Sequence, residues 1–409
     1  MTIAPILRSL LARHKTAGSL VIVEIALTCA IVANAVFLIG ERLQRIQTDS
    51  GVAERELSRV QLAGVGNQDD PHGQTREDLA ALRAIPGVDS VTITNQVPFG
   101  SSSWNSSLHL DPDQSEPAAH AALYLGDADF LDTVGLRLVA GRDFRDGEFL
   151  DYHPEEGWQQ MLEVDTVIIT RALAERLFPG DSAVGEVLYF GEETPVRVVG
   201  VIEGLMRPTG DSADAPGHHS VLLPVRTPYT IGGSYVLRTA PSDRERVLGD
   251  ATEALSRPGA SRVVLEQETF EELRAEFFHA DRAMGWLLLI VCGALLIVTA
   301  LGIVGLASFW VQQRTRQIGV RRALGATRGQ IARHFQVENL ILTSAGIVLG
   351  MGLAYAINAW LMQRYELPRL SWIALPFGAV TLWALGQLSV LGPARRAAAI
   401  PPAVATRSV

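Results

Sequence analysis

The sequence predicts an α-helical membrane protein with four transmembrane helices and a large α+β extracytoplasmic domain on a helical stalk. The chain has 409 residues, of which 48% are hydrophobic and 19% are charged. Four apolar stretches reach the roughly 20 residues that a helix needs to cross a bilayer. Residues 41–283, between the first and second stretches, hold 41 acidic and 21 basic residues, which is the composition of a soluble domain.

The composition and the motifs exclude several classes of function. A net charge of -9 argues against a nucleic acid partner. Cys29 and Cys292 both lie inside apolar runs, so neither a disulfide framework nor a cysteine zinc site is expected. The sequence contains no G-x-x-x-x-G-K-[ST], H-E-x-x-H or Cys-x-x-Cys motif, and we expect no catalytic, cofactor or metal residue on this chain. The Asp and His residues of 211–219 could hold a metal, but an ordinary polar loop has the same composition.

The first apolar stretch could also be a secretory signal, because it follows Arg8, Arg13 and Lys15. Its apolar run, however, continues through Ile39, beyond the cleavage-like 33–35, and we therefore predict a retained helix. The four predicted spans are Ala17–Gly40, Met284–Trp310, Leu340–Leu361 and Ser371–Leu391.

Basic residues in the segments outside the spans predict the orientation. Residues 1–16, 311–336 and 392–409 together hold 12 basic residues and no acidic residue. Under the positive-inside rule these pieces are cytoplasmic, so both termini are expected in the cytoplasm. Residues 41–283, with a net charge of -20, and the short loop 362–370 are then expected on the outer side.

The exterior domain alternates strand-like and helix-like segments. Residues 100–120 and 208–219, rich in Ser, Pro, Asp and His, predict loops. The predicted strands are Val88–Thr94, Val164–Ile169, Pro195–Ile202, Val221–Val225 and Tyr235–Thr239. The predicted helices are Asp78–Ile85 behind a capping-box-like Thr75 with Asp78, Thr170–Phe178, and one opened by Ser242 with Glu245.

A helical stalk is predicted at both edges of this domain. Thr269 with Glu272 forms a capping box, and the helical pattern then runs without a breaker into the second span. Apolar residues at heptad spacing in this segment face the continuation of the first span. We therefore predict a paired stalk; the alternative is an amphipathic helix on the surface of the domain. The predicted stalk residues are Leu43, Ile46, Phe270, Leu273 and Phe277.

Two polar residues inside the first span need partners. An unpaired charge at the position of Glu24 costs roughly 2.5–3.5 kcal/mol in a membrane helix. A proton or substrate relay would need a chain of carboxylates, so we favour interhelical hydrogen bonds for Glu24 and for Asn34. Gly346 and Gly350 form a small-xxx-small face, which predicts close helix contact.

The cytoplasmic segment 311–336 is basic and alternates apolar with cationic residues. Gly319 and Gly325 flank a predicted short helix, Val320–Leu324, and a second helix over Arg328–Glu338 leads into the third span. Such a segment is suited either to contact anionic lipid or to dock on a cytoplasmic protein.

Four parts of the sequence carry a family resemblance. Residues 318–326, Ile-Gly-Val-Arg-Arg-Ala-Leu-Gly-Ala, resemble the signature of the MacB/FtsX family of ABC-transporter permeases. Residues 130–144 and 167–185, the latter followed by 198–202, resemble the family's periplasmic core domain, and 395–401 resembles its closing segment. The likeness extends over nearly the whole chain, in the same order.

The resemblance implies a domain division and a docking surface. The first span lies in 1–40, the periplasmic core domain with its stalk helices in 41–283, and the FtsX-like permease domain in 284–409. The cytoplasmic segment would dock on an ABC ATPase. The implied docking residues are Arg314, Arg316, Ile318, Gly319, Val320, Arg321, Arg322, Ala323, Leu324, Gly325, Ala326 and Arg328.

The resemblance also implies partners and a location. ATP and Mg would be bound by a separate ATPase, because this sequence has no P-loop. The other implied partners are a second permease chain, the same or related, membrane lipid and a periplasmic adaptor. The implied location is the bacterial inner membrane, and the implied activity is export or mechanical work on the periplasmic side. Two other classes stay open: a receptor whose exterior domain binds a ligand and signals inward, and a membrane-anchored exterior enzyme.

Overall fold

The computed structural model describes residues 15–66, 69–190, 194–210, 217–256, 262–365 and 374–401. The chain divides into two compact units. The helical unit comprises Met1–Gln47 and Ala280–Val409, and the α+β unit comprises Thr48–His279.

The elements follow in chain order. The helices are α1 (Lys15–Ile46), α2 (Pro71–Arg83), α3 (Phe130–Val134), α4 (Arg171–Leu177), α5 (Arg244–Leu255), α6 (Phe270–Phe277), α7 (His279–Gln313), α8 (Thr315–Ala323), α9 (Arg328–Tyr365) and α10 (Ala374–Ala399). The strands are β1 (Leu57–Gly64), β2 (Val88–Thr94), β3 (Asn105–His109), β4 (Ala119–Gly126), β5 (Leu138–Gly141), β6 (Leu150–Asp151), β7 (Thr166–Thr170), β8 (Val187–Phe190), β9 (Thr194–Ile202), β10 (Ser220–Arg226), β11 (Ser234–Thr239) and β12 (Arg262–Thr269).

The predicted fold class is confirmed. Within the described part of the chain, α1, α7, α9 and α10 are the four helices long and apolar enough to cross a membrane. Each corresponds to one predicted span, because about 20 consecutive apolar residues are a local signal that needs no tertiary context. The five predicted strands appear as β2, β7, β9, β10 and β11.

The first sheet of the α+β unit has four antiparallel strands in the order β12-β1-β11-β2. Helices α2 and α5 cover one of its faces. Apolar side chains of β1, such as Val60 and Leu62, pack there against Leu82 and Val247. A bulge between Gln61 and Leu62 interrupts the pairing of β1 with β12.

The second sheet closes on itself. Its strands run β4-β3-β8-β9-β7-β10, and β10 also pairs in parallel with β4. Inward-facing residues such as Leu123, Ile169 and Leu223 fill the interior, so the barrel is a packed core and not a pore.

Two predictions in this unit are wrong. Helix α2 begins at Pro71 and is capped by Asp70, whose carboxylate accepts the Gly73 amide at 2.7 Å. Asp78 is an internal ion-pair partner, because the buried Arg262 guanidinium holds its carboxylate. The segment 100–120 is not all loop, since it contains β3. The Ser and Asn residues of this strand are typical of loops, so its sequence does not predict a strand.

The predicted continuous helix into the second span is also wrong. The capping box at Thr269 is present, with Glu272 Oε2 accepting the Thr269 amide at 2.9 Å. The helix ends, however, at Phe277, and Phe278 has non-helical dihedral angles before α7 begins. The Phe278 ring is buried against Phe99 and Phe277, and this packing accompanies the interruption.

In the helical unit, α1 packs against α9 through the predicted glycine face. A Cβ on Gly350 would lie 2.5 Å from Cys29 Cβ, and one on Gly346 would lie 2.7 Å from Ile25 Cβ. The two backbones approach closely because these positions have no side chain.

Candidate functional site

The candidate docking segment is a helix-turn-helix of fixed geometry. Helix α8 extends over Thr315–Ala323, so Gly319 lies inside it and does not flank it as predicted. The helix ends in a Schellman motif, in which the Ala326 amide donates to Arg321 O at 3.0 Å and the Gly325 amide donates to Arg322 O at 3.1 Å. Gly325 supplies the required positive φ of 97°.

The next helix starts with a reciprocal cap. Gln330 Oε1 accepts the Thr327 amide at 3.0 Å, and Thr327 Oγ1 accepts the Gln330 amide at 3.3 Å. The sequence Leu-Gly-Ala-Thr-Arg-Gly-Gln at 324–330 therefore encodes both the stop of α8 and the start of α9. Such a turn holds the side chains around it in one arrangement.

Two of the predicted docking arginines are engaged inside the helical unit. Arg314 Nη1 donates to both carboxylate oxygens of buried Glu338, at 3.1 and 3.0 Å. Arg322 Nη1 donates to Ala398 O at 3.1 Å and to Ile400 O at 2.7 Å, the carbonyl groups at the end of α10. A cation at a helix C-terminus satisfies carbonyl groups that have no partner within the helix. These two residues hold the segment in place.

The remaining predicted residues divide into a buried and an exposed set. Ile318 and Gly319 are buried and anchor α8 to the helical core, while Ala326 is half-buried. Val320 is 46% exposed and Leu324 is 83% exposed. The other exposed members are Arg316, Arg321, Ala323, Gly325 and Arg328. We call Val320, Leu324, Arg316, Arg321 and Arg328 the exposed coupling face.

The intramembrane polar residues lie at helix contacts. A Cβ on Gly302 of α7 would lie 2.7 Å from Glu24 Oε2, so the absence of a side chain at 302 makes room for the carboxylate. Asn34 Nδ2 donates to Ala30 O at 2.9 Å and to Ala354 O of α9 at 3.3 Å. Sequence reasoning missed the hydrogen bond between Thr28 and Thr299 hydroxyls at 2.8 Å, although Thr28 follows Glu24 at helical spacing.

The predicted stalk residues divide between the two units. Leu43 and Ile46 belong to α1, where Leu43 is exposed. Phe270 and Leu273 are buried in the α+β unit, and the Phe277 ring lies 5.4 Å from that of Phe99. Their pairing across the units stays a prediction. Within the helical unit, an ion pair that the sequence analysis missed joins Arg42 of α1 to Asp281 of α7.

The described residues contain no group of three or more His, Cys, Asp or Glu that could hold a metal ion. Asp211 and Asp214, which could take part in a metal site, lie outside the described residues. The same is true of Arg8 and Arg13, which contribute to the predicted orientation, and of residues 366–370 in the predicted outer loop.

Comparison with known families decides the identity of the chain. Residues 22–268 match the profile of the MacB-like periplasmic core domain, and residues 289–402 match that of the FtsX-like permease C-terminal domain. The chain belongs to the MacB/FtsX-type ABC transporter permeases. The permease is 26% identical over 340 residues to the uncharacterized ABC transporter permease YknZ of Bacillus subtilis, covering 81% of this chain and 79% of that protein.

A second relative is longer. The permease is 27% identical to the macrolide export ATP-binding/permease protein MacB of Shewanella sp., covering 95% of this chain but only 58% of that protein. Among solved structures, the extracellular domain of YknZ matches with 16% identity and a TM-score of 0.32, covering 51% of this chain and 100% of that one. The periplasmic region of MacB from Actinobacillus actinomycetemcomitans matches with 16% identity and a TM-score of 0.32, covering 58% and 97%.

Proposed function

We propose that this permease couples ATP hydrolysis by a separate cytoplasmic ATPase to movement of its α+β unit on the periplasmic side, for export or mechanical work. The exposed coupling face carries the proposal. It presents two exposed apolar side chains: Val320 on α8, and Leu324 at the turn that a Schellman motif and a capping box fix. An exposed leucine on a rigid turn is suited to insert into a pocket of a partner protein.

The energetics fit a docking contact. Burial of one leucine side chain contributes about 1.5–3 kcal/mol. Arg316, Arg321 and Arg328 lie in the same segment as the apolar pair and are exposed, so they would steer and orient a partner with an acidic rim. Because Arg314 and Arg322 are already bound within the helical unit, the partner would meet a preorganised surface.

The orientation belongs to the proposal. The three basic pieces, 1–16, 311–336 and 392–409, would be cytoplasmic, together with both termini. The helical unit would then lie in the bacterial inner membrane, and the α+β unit would lie in the periplasm. ATP and Mg would bind only to the ATPase.

A second permease chain is part of the same proposal. The most apolar stretch of α7 is only 17% buried within the chain, against 50% for α1. Its free faces suit contact with lipid and with a second copy or a related chain. Two chains would provide two coupling faces for a pair of ATPases, and a periplasmic adaptor would complete an export assembly.

Co-purification from native membranes in mild detergent tests the proposal. We expect an ABC ATPase to be recovered with the wild-type chain, and to be lost with Arg321→Glu combined with Leu324→Asp. Arg176→Glu combined with Leu110→Asp makes the same two residue changes at exposed positions of the α+β unit; it is the matched control and should retain the ATPase. Equal recovery of the ATPase with both variants would contradict the docking surface.

A further inference from the structure

The chain enters the α+β unit at Thr48 and leaves it at His279. One side chain, Arg274 of α6, binds close to both points. Its Nη2 donates to the carbonyl oxygen of Thr48 at 2.8 Å, and its Nη1 pairs with Glu54 at 2.6 Å. The guanidinium carbon also lies 5.6 Å from the centre of the Phe278 ring, beside the exit point.

The same guanidinium contacts a third segment, the loop that follows β2. Its carbon lies 5.2 Å from the centre of the Phe99 ring, within range of a cation–π contact. The Phe99 ring also contacts Phe277 and Phe278, with ring centres 5.4 and 5.7 Å apart. Phe99 is therefore enclosed by residues that belong to, or adjoin, the end of α6.

Phe99 has an unusual backbone. Its φ is 66°, and among the described residues no other non-glycine residue has a positive φ. Such a conformation is strained in a bulky residue and persists only where surrounding contacts impose it. The aromatic rings and Arg274 supply those contacts. If these rings or Arg274 moved, the backbone at Phe99 would relax from its positive φ.

The loop of Phe99 is connected to the barrel. Asn95 Nδ2 and Gln96 Nε2 both donate to Leu123 O of β4 at 3.0 Å. The Leu125 amide donates back to Asn95 Oδ1 at 3.0 Å. A change in this loop would therefore reach β4 directly, through buried hydrogen bonds.

We propose that Arg274 is a positioning residue that couples the two chain crossings, at Thr48 and Phe278, to the strained loop at Phe99 and thereby to β4. The assignment rests on the proposed function, in which movement of membrane helices reaches the α+β unit. It adds the residue through which that movement passes. Arg274 joins three separate segments: the chain entry at Thr48 and Glu54, the loop of Phe99, and the chain exit at Phe278.

Amide hydrogen exchange on the purified full chain in detergent, without any ATPase, tests this role. The perturbation is Asp281→Arg, which replaces the α7 partner of Arg42 with a like charge. The reporters are the amide of Gly100, bound to Val97 O at 3.1 Å, and that of Trp104, bound to Gln96 Oε1 at 2.6 Å. The perturbation is applied alone and together with Arg274→Met.

We expect Asp281→Arg to accelerate exchange of the two reporters about tenfold in the wild-type background, and hardly at all in the Arg274→Met background. Phe99→Gly is the second variant, because glycine adopts a positive φ without strain and should fold. It too should abolish the response. Arg244→Met is the matched control: Arg244 binds Arg55 O and Glu271 nearby, and its loss should leave the response intact.

A response of equal size in all backgrounds would show that Arg274 is only structural, and no response in the wild-type background would also overturn the proposal. Both results are independent of the ATPase. Failure of an ATPase to co-purify would count against the proposed function alone.

Discussion

A single guanidinium nitrogen of Arg314 donates to both carboxylate oxygens of Glu338, at 3.1 and 3.0 Å. The side chain of Glu338 is 2% exposed and that of Arg314 is 16% exposed. This ion pair ties the start of α8 to α9, so the coupling segment is part of the packed helical unit. Residues of the exposed coupling face can therefore be substituted without breaking the ion pair between Arg314 and Glu338.

The first prediction concerns this anchor. Glu338→Ala leaves the Arg314 charge partly buried without its partner, and we expect a destabilisation of about 3–5 kcal/mol. The measurement is the thermal unfolding midpoint of the chain in detergent. The double variant Glu338→Ala with Arg314→Met removes both charges and should recover part of the loss. A double variant that is less stable than Glu338→Ala would contradict the ion-pair assignment.

The second prediction separates two adjacent arginines. Arg322→Glu places a carboxylate against the carbonyl groups of Ala398 and Ile400, so it should lower the unfolding midpoint and the yield of folded protein. Arg321→Glu lies on the exposed coupling face and should leave the midpoint within the range of ordinary surface changes, about 0.5 kcal/mol. Only the second change should act on ATPase recovery without acting on folding. Similar midpoints for both variants would show that the bonds of Arg322 are unimportant.

The third prediction concerns helix packing. A side chain at Gly350 would collide with Cys29 Cβ at 2.5 Å and with Ala26 O at 2.6 Å. We expect Gly350→Val to destabilise the helical unit by about 1–3 kcal/mol, the range for overpacked cores. Gly352→Val is the matched control, because a Cβ there meets no atom within 4 Å. Fluorescence-detected gel filtration after heating compares the two, and equal loss of the monodisperse peak would refute the close contact.

The fourth prediction concerns pH. Burial raises the pKa of Asp127, although its carboxylate accepts the Thr92 hydroxyl at 2.6 Å. A raised pKa means that the folded chain holds the proton more tightly than the unfolded chain. Ionised Asp127 therefore reduces stability above its folded pKa, and the penalty is absent below the unfolded pKa. We expect Asp127→Asn to raise the unfolding midpoint at neutral pH.

The expected difference between Asp127→Asn and wild type should shrink as the pH falls through the folded pKa of Asp127. Oδ1 of asparagine can still accept both hydrogen bonds, from Thr92 Oγ1 and the Asp129 amide, so the variant removes the charge and keeps these two bonds. Unfolding midpoints measured from neutral to acid pH provide the comparison. A difference that grows in acid would mean that the carboxylate is stabilising.

The fifth prediction concerns a cap in the same unit. Hydrogen bonds from the Thr269 amide and hydroxyl lower the pKa of Glu272, so this carboxylate contributes stability above its unfolded pKa. The contribution is lost as the pH falls through the folded pKa. We expect Thr269→Ala to cost about 1 kcal/mol at neutral pH and less in acid. Urea unfolding at two pH values measures it, and a pH-independent cost would contradict the charged cap.

The sequence alone determined the class of this protein and the position of its membrane helices. A long apolar run is a local signal, so it predicts a membrane helix whatever the rest of the chain does. The close contact at Gly346 and Gly350 and the end of α8 at Gly325 were also predicted, because close backbone approach and helix ends depend on a few neighbouring residues.

Only the tertiary structure decided which polar side chains are free. Arg321 and Arg322 are adjacent and chemically identical, yet Arg322 binds carbonyl groups 76 and 78 residues away in sequence, and Arg321 is exposed. In the same way, Asp78 is an ion-pair partner of Arg262, and the helix before the second span ends at Phe277, where the Phe278 ring packs against Phe99 from the loop after β2. A hydrogen bond or a ring contact is a short-range interaction between distant parts of the chain. Which residues form such a contact is therefore decided by the fold, and no local sequence pattern predicts it.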